Sequence, residues 1–298
     1  MNGNFKVCSL PALFNKQQLI EELFDVDCPT SSAIILGSAN GLICLFNPKD
    51  TYIWNPTISK SKKLLNLRWG SSFPAKYGFG YDESRDIYKV LFIGYCCNSS
   101  RHLVNIYSLR TDSWTPVHVQ FQGIFLINRS CKFIYGKLYW ASSSTGICNY
   151  IMCKIISFDL AKETWGRLDL PIDGEADSHF RLGVIGSDLS FLYTCHLGAT
   201  TSDVWILKDC RFWKKNFTIK YPQLASLYIF CSQGYTFSIH FRQSSNGDIL
   251  ILATPFMMIF DGSTRKLEHT TEVEKCNPVE IYVESLVNPQ TISNQGHH

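Results

Sequence analysis

Few side chains in these 298 residues are spaced for chemistry. Asp82 and Asp86, in "YGFGYDESRDIYKVL", have the types for a general acid–base pair. They sit at a chain reversal between two apolar runs, so capping of turn amides is the expected role. The twelve cysteines include adjacent Cys96 and Cys97, and Cys148 and Cys153 five apart, with no C-x-x-C anywhere. That spacing supplies neither a zinc set nor a redox motif, and contexts such as "LICLF" around Cys44 and "LYTCHL" around Cys195 read as reduced core thiols. There is no G-x-S-x-G, H-E-x-x-H, phosphate-cradling loop or dinucleotide fingerprint, and of eight histidines six are isolated along the chain while His297 and His298 end it. No catalytic residue, cofactor or metal is therefore expected.

Recognition chemistry is what remains. Arginines and aromatics recur in polar segments: Arg68 and Trp69 in "LNLRWGSSFPAK", Arg101 and His102 in "CCNSSRHL", and Asp177, His179 and Arg181 in "DGEADSHFR". Such residues anchor protein interfaces, and these seven are the candidate partner-binding loop residues. A net charge of +3, from 28 basic and 25 acidic residues, gives no footprint for nucleic acid. The densest basic run, "SKSKKLL" at 59–65, reads as a solvated turn. No stretch approaches the ~18 apolar residues of a membrane span, and "MNGNFKVCSL" lacks a signal-peptide layout, so the expected location is cytoplasmic and/or nuclear.

A repeat must position these residues. "IISFDLAKETWGRL" brings an aromatic back after seven positions, Phe158 to Trp165. Tyr107 and Trp114, Trp205 and Phe212, and Phe260 and Leu267 repeat the phrase, and Trp54 opens a degenerate copy with Ser61 at the seventh position. The first aromatics are 53, 51, 47 and 55 residues apart, a period that points to a propeller. Asn40-Gly41, Tyr135-Gly136 and Asn246-Gly247 precede apolar runs in phase with it, as tight hairpin turns do. The expected unit is a four-stranded sheet whose two rings flank one hairpin and pack between neighbouring sheets. The chain then divides into a lead-in at 1–30, holding a partial blade or a helix or loop, a propeller at 31–288, and a disordered tail at 289–298.

"GSANGLICLFNPKDTYIWNPTISKSKKL", "YGFGYDESRDIYKVLFI", "FIYGKLYWAS" and "IISFDLAKETWGRLDLP", in this order, resemble the F-box-associated domain of plant F-box proteins of the F-box/kelch-repeat type. The resemblance runs from about Phe5 to Val287 and implies an all-β, kelch-like propeller of about five to six four-stranded blades. It also implies a substrate-recognition role in an SCF-type cullin ubiquitin ligase. In that family an F-box docks on a Skp-type adaptor, and the propeller captures the protein to be ubiquitinated. "LPALFNKQQLIEELF" at 10–24 echoes an F-box opening but is too short, with strand-like "SSAIILGS" following. The chain therefore reads as a truncated product, an incomplete gene model or a bare receptor domain. Its expected partners are an unknown target protein and, only through an F-box, the Skp-type adaptor and cullin, with no nucleic acid and no membrane. Kelch glycine doublets are absent, leaving blade count and N-terminal closure open. Two rival readings stand beside this non-enzymatic module. A propeller enzyme requires polar side chains converging on the central axis, and a carbohydrate-binding propeller requires exposed aromatic platforms at equivalent positions.

Overall fold

The computed structural model describes residues 5–14, 24–30, 33–47, 49–65, 76–96, 101–118, 125–126, 131–143, 152–172, 179–196, 199–220, 240–253, 256–272 and 280–292. Strands β1 (Phe5–Val7) and β2 (Phe24–Val26) pair with each other, and among the described residues between them Pro11–Phe14 forms a 3-10 turn. Blade 1 follows as β3 (Ile34–Ala39), β4 (Leu42–Phe46), β5 (Thr51–Asn55) and β6 (Lys60–Lys63), and blade 2 as β7 (Lys76–Asp82), β8 (Ile87–Cys96), β9 (Arg101–Ser108) and β10 (Ser113–Val117). In blade 3 the inner strand is split into β11 (Phe125–Leu126) and β12 (Lys132–Ile134), both pairing β13 (Lys137–Ser143), beyond which come β14 (Met152–Asp159) and β15 (Thr164–Leu168). Blade 4 comprises β16 (His179–Ile185), β17 (Asp188–Thr194), β18 (Thr201–Lys208) and β19 (Phe212–Lys220), and blade 5 β20 (His240–Gln243), β21 (Ile249–Ala253), β22 (Phe256–Phe260) and β23 (Leu267–Glu272). Five antiparallel sheets thus form a five-bladed β-propeller.

Turn chemistry fixes the register. Asn40 and Gly41 have φ of 46° and 83°, and Tyr135 and Gly136 of 46° and 73°, the two positive angles of a type I′ hairpin. Blade 5 departs from this: Ser244–Asp248 is a longer loop in which only Gly247 has positive φ, 95°. The third and fourth strands are joined by a second turn, closed by a side chain at the end of the third strand. Asp159 Oδ1 accepts from the amides of Ala161 and Lys162, and Asn55 Oδ1 from that of Thr57. Asp261 Oδ1 does the same for Ser263 and Thr264. Asp82 also caps its turn, accepting from the Ser84 amide at 3.1 Å.

The repeated rings fill the seams. Tyr107 and Trp114 face each other across β9–β10 at 5.1 Å, and Phe158 and Trp165 across β14–β15 at 4.8 Å. Each outer-strand indole also donates to the chain just beyond the preceding blade's outer strand: Trp114 to Leu65 O (2.7 Å), Trp165 to His118 O (3.2 Å), Trp213 to Asp169 O (2.9 Å). Trp213 corrects the sequence alignment. The blade 4 turn has three residues between Lys208 and Phe212, where blade 3 has four between Asp159 and Thr164. The ring therefore returns one position early, opposite Leu207, and Phe212 is left 55% exposed.

Among the described residues no sheet shares strands from the two ends of the chain. The gap between blades 5 and 1 is filled by the lead-in and by residues 280–292. Phe5, Val26 and Tyr282 pack on the blade 1 cluster of Ile35, Ile43 and Trp54, while Leu13, Phe14 and Ile281 pack on Leu250, Leu252 and Met257 of blade 5. The C-terminal segment then crosses blade 1: Asn55 Nδ2 donates to Ser285 O (2.9 Å) and Val287 O (2.8 Å), and Gln290 Nε2 to Ser61 O (3.0 Å). The expected tail is thus corrected at its start, since Pro289 is buried and Ile292 packs between blades 1 and 2. Cys195 is corrected too, lying exposed just past β17, whereas Cys44 and Cys131 are buried thiols.

These contacts set apart two neighbouring rings. Trp213→Ala is expected to lower stability in urea by ~2 kcal/mol, through lost burial and a stranded carbonyl. Phe212→Ala is expected to stay within ~0.5 kcal/mol. Equal losses would contradict the assignment of the wedge.

Candidate functional site

Alternate connections of a four-strand meander lie at opposite ends, which gives the wheel two unlike faces. The hairpins joining first to second and third to fourth strands make one, here the turn face. Connections between second and third strands, and from blade to blade, belong to the other, the loop face. The strand ends flanking 66–75, 97–100 and 173–178 lie at the loop face. Arg68, Trp69 and Asp177 themselves fall outside the described residues. Arg101 opens β9 opposite Cys96, and His102, half-buried, follows opposite Tyr95. His179 opens β16 opposite Thr194. Arg181 is not an exposed loop residue: it lies within β16, 8% exposed, its Nη1 donating to Phe180 O at 3.4 Å.

The turn face is cross-braced. Arg110 Nη2 donates to Arg85 O (2.5 Å) and Asp86 O (3.0 Å), and Arg85 Nη1 reaches Ala161 O in blade 3 (2.6 Å). Lys89, buried in the seam, meets Asp82 at 3.2 Å, Glu163 at 2.9 Å and Leu160 O at 2.5 Å. Burial acts to raise the Asp82 carboxyl, but Ser84, Lys89 and Arg85 together hold it below the usual carboxylate range. The imagined Asp82–Asp86 pair is divided between these duties, because Asp86 accepts instead from the Tyr81 hydroxyl.

A third group lies at the axis, where the inner strands meet. Glu280, from the C-terminal segment, accepts from Ser38 Oγ of blade 1 at 3.0 Å and stands 3.6 Å from His240 Nε2 of blade 5. Lys132 of blade 3 and Arg242 of blade 5 complete the cluster electrostatically. Burial pushes the Glu280 carboxyl up, against the pull of Lys132, Ser38 and Arg242. Burial is also the main cause that lowers Lys132 from 10.5 to about 8, with Arg242 adding to it and Glu280 opposing. The axis is therefore not lined by small and apolar groups alone. The neighbouring thiol of Cys131, packed in the seam between blades 2 and 3, is pushed up by burial to about 12, far from a reactive thiolate. Among the described residues no group of His, Cys, Asp and Glu could hold a metal ion, and no helix is long and apolar enough to cross a membrane.

Sequence reasoning passed over Lys132, His240, Arg242 and Glu280. One signal was present: His-Phe-Arg occurs twice, at 179–181 and 240–242, and both copies fall on inner strands. Arg242 repeats the local geometry of Arg181, its Nη1 donating to Phe241 O at 3.0 Å. Glu280 carries no comparable mark, because it comes from outside the repeat.

A five-bladed wheel with one braced face and one face of long connections defines a β-propeller scaffold. The family model of the F-box associated beta propeller domain matches residues 2–289, and the chain belongs to that family. Similar relatives come from Arabidopsis thaliana. F-box/kelch-repeat protein At3g23880 is 24% identical, over 97% of this chain and 78% of its own length. F-box protein CPR1 is 26% identical, over 85% and 67%, and F-box/WD-40 repeat-containing protein 1 is 26% identical, over 69% and 53%.

Lys132 gives the axis a pH signature. A lysine lowered to about 8 in the fold and at 10.5 outside it binds fewer protons folded than unfolded between those values. Its contribution to stability thus rises with pH across that window. In paired urea titrations from pH 7 to 9.5, Lys132→Met is expected to gain less, or lose more, stability with rising pH than the parent protein. Parallel curves would show that Lys132 titrates as it does in water.

Proposed function

We propose that this propeller is the target-binding part of an F-box-type receptor for an SCF-type ubiquitin ligase. It grips a protein and leaves the chemistry to other subunits. The observation that carries the reading is the division of faces. The turn face is spent on inter-blade braces such as Arg85 to Ala161 and Lys89 to Glu163. The strands that flank the segments carrying the candidate anchors Arg68, Trp69, Arg101, His102, Asp177 and His179 end at the opposite face. Rigid sheets displaying variable loops suit recognition of a protein surface. Membership of the F-box associated family supports the same role, with a Skp-type adaptor and a cullin as partners wherever an F-box accompanies the propeller. Work on targets in the cytoplasm or nucleus follows from that assembly.

Cross-linking mass spectrometry in proteasome-inhibited plant extract tests the reading. A target should cross-link to loop-face positions, be lost on Arg68→Ala/Trp69→Ala or Arg101→Ala/His102→Ala, and survive Lys162→Ala on the turn face. The same protein should become ubiquitinated when an F-box is fused ahead of Met1 and the adaptor and cullin are added. Cross-links confined to the turn face, or a bound protein never ubiquitinated by the fusion, would count against it.

A further inference from the structure

Blade 3 breaks the repeat at one position. The third-strand residues opposite the outer-strand wedge are Trp54, Tyr107, Phe158, Leu207 and Phe260. Just before them stand Ile53, Ile106, Ile206 and Ile259 in blades 1, 2, 4 and 5, but Ser157 in blade 3. Across the strand pair these face Lys62, Thr115, Lys214 and His269, whereas Ser157 faces Gly166. Ile53 and Ile106 pack into the seam with the next blade. Ser157 is turned to the corresponding seam, between blades 3 and 4, because Ile155, two residues before it, and Tyr139, opposite it, both pack there. A serine forgoes the apolar contact of an isoleucine, and this one gains no hydrogen bond within the fold: it is 8% exposed, and among the described residues its Oγ has no partner.

The replacement opens a groove of about 190 Å³ at the turn-face end of blade 3, with Ser157 and Gly166 at its base and Lys137, Asp159, Lys162 and Thr164 around them. A Cβ on Gly166 would come within 2.7 Å of Ser157 Oγ, so the hydroxyl borders the space a side chain would fill. Asp159 Oδ1 is taken up by the turn amides of Ala161 and Lys162, and Oδ2 lies 3.8 Å from Lys137. Lys162 is exposed and makes no ion pair among the described residues. Two ammonium groups and one carboxylate thus border an uncommitted hydroxyl. The groove is small beside the ~300–1,000 Å³ of drug-sized sites, which limits its ligand to a few carbons.

We propose that this groove is a binding site for a small hydroxycarboxylate, whose hydroxyl pairs with Ser157 at the base and whose carboxylate lies between the ammonium groups of Lys137 and Lys162. The charge-assisted contacts at the rim supply attraction, and the serine selects a ligand with a hydroxyl. This site does not depend on what the loop face grips.

Ligand-detected NMR titrations of the full chain at pH 7, with L-malate, succinate and erythritol as probes and ionic strength held constant by chloride, test the proposal. Malate should bind at one saturable site. Succinate, which keeps the charge and lacks the hydroxyl, should bind about 5-fold more weakly, the loss of one hydrogen bond. Erythritol, which has hydroxyls and no charge, should not displace malate. Ser157→Ile restores the residue of the other four blades; it should abolish malate binding and leave the urea midpoint equal or higher, a combination that a structural role for the serine would not produce. Lys162→Gln should weaken malate about 3-fold, the worth of an exposed ion pair. Lys60→Gln, on the outer strand of blade 1, should leave binding unchanged. Should Ser157→Ile fail to fold, Ser157→Ala and Lys162→Gln carry the test, both weakening malate. Absence of saturable binding in the parent, equal affinity for succinate and malate, unchanged binding by a folded Ser157→Ile, or equal effects of Lys60→Gln and Lys162→Gln would each overturn the site.

Discussion

The structure depends on an indole N–H finding a carbonyl across a seam. A four-stranded sheet offers two apolar faces and can bury neither alone, so each blade is stable only against its neighbours. A large ring fills the space between twisted sheets, yet a tryptophan brings a donor that would be costly to leave unpaired. The chain leaving the preceding blade's outer strand has the complementary need, a carbonyl past the end of its ladder. Trp114 with Leu65, Trp165 with His118 and Trp213 with Asp169 satisfy both at once. Apolar filling sets the spacing of the blades, and the hydrogen bond sets how one slides against the next. Where Leu267 replaces the indole, other contacts take over. Arg265 lies 5.0 Å above the Phe217 ring, and its carbonyl accepts from the Lys220 amide.

Such a wheel meets a difficulty at its last seam. Many closed sheets remove free edges by hydrogen-bonding their ends together, but here blades 5 and 1 are each built from consecutive strands. The gap is filled by a short hairpin and an extended segment whose polar anchors are mostly side chains: Ser38, Asn55 and Gln290. Each such bond contributes only ~1 kcal/mol, less than a cooperative ladder supplies. Gly41 shows how closely the segment runs, since a Cβ there would sit 2.3 Å from Ser285 Oγ, in a residue with φ of +83°. Placing Glu280 at the axis adds an electrostatic hold on blades 1, 3 and 5 together.

The repeat was legible because it is local. A ring, a turn closed by Asp, Asn or Ser, and a returning ring lie within about fifteen residues, so blades 1, 2, 3 and 5 could be phased from spacing alone. Blade 4 misled because a turn shortened by one residue leaves the aromatic pattern intact while moving it, with Phe212 standing beside Trp213. Arg181 misled for a different reason. Asp177 and Ser178 just before it are polar, so the segment reads as loop, although "FRLGVI" lies in a strand with one charge turned inward. The axial cluster was hidden because its members lie far apart in the chain: Ser38, Lys132, His240 and Glu280 meet only once five sheets have been arranged in a circle.

Circular architecture also explains why inter-blade braces and long connections are separated. Turn-face hairpins are short because type I′ and capped turns join adjacent strands directly, and their side chains are near enough to brace neighbouring blades. Loop-face connections must travel from an outer strand of one blade to the inner strand of the next, so they are longer and less constrained by pairing. Buried charge cannot be placed freely in either. It is tolerated where partners from several blades converge, in the Asp82–Lys89–Glu163 seam and at the axis. In the seam two carboxylates, Asp82 and Glu163, meet two cations, Lys89 and Arg85, and the charges are compensated. At the axis desolvation penalises both signs, raising the Glu280 carboxyl and lowering Lys132 and Arg242, so each charge is held there against burial by the opposite charge of the others.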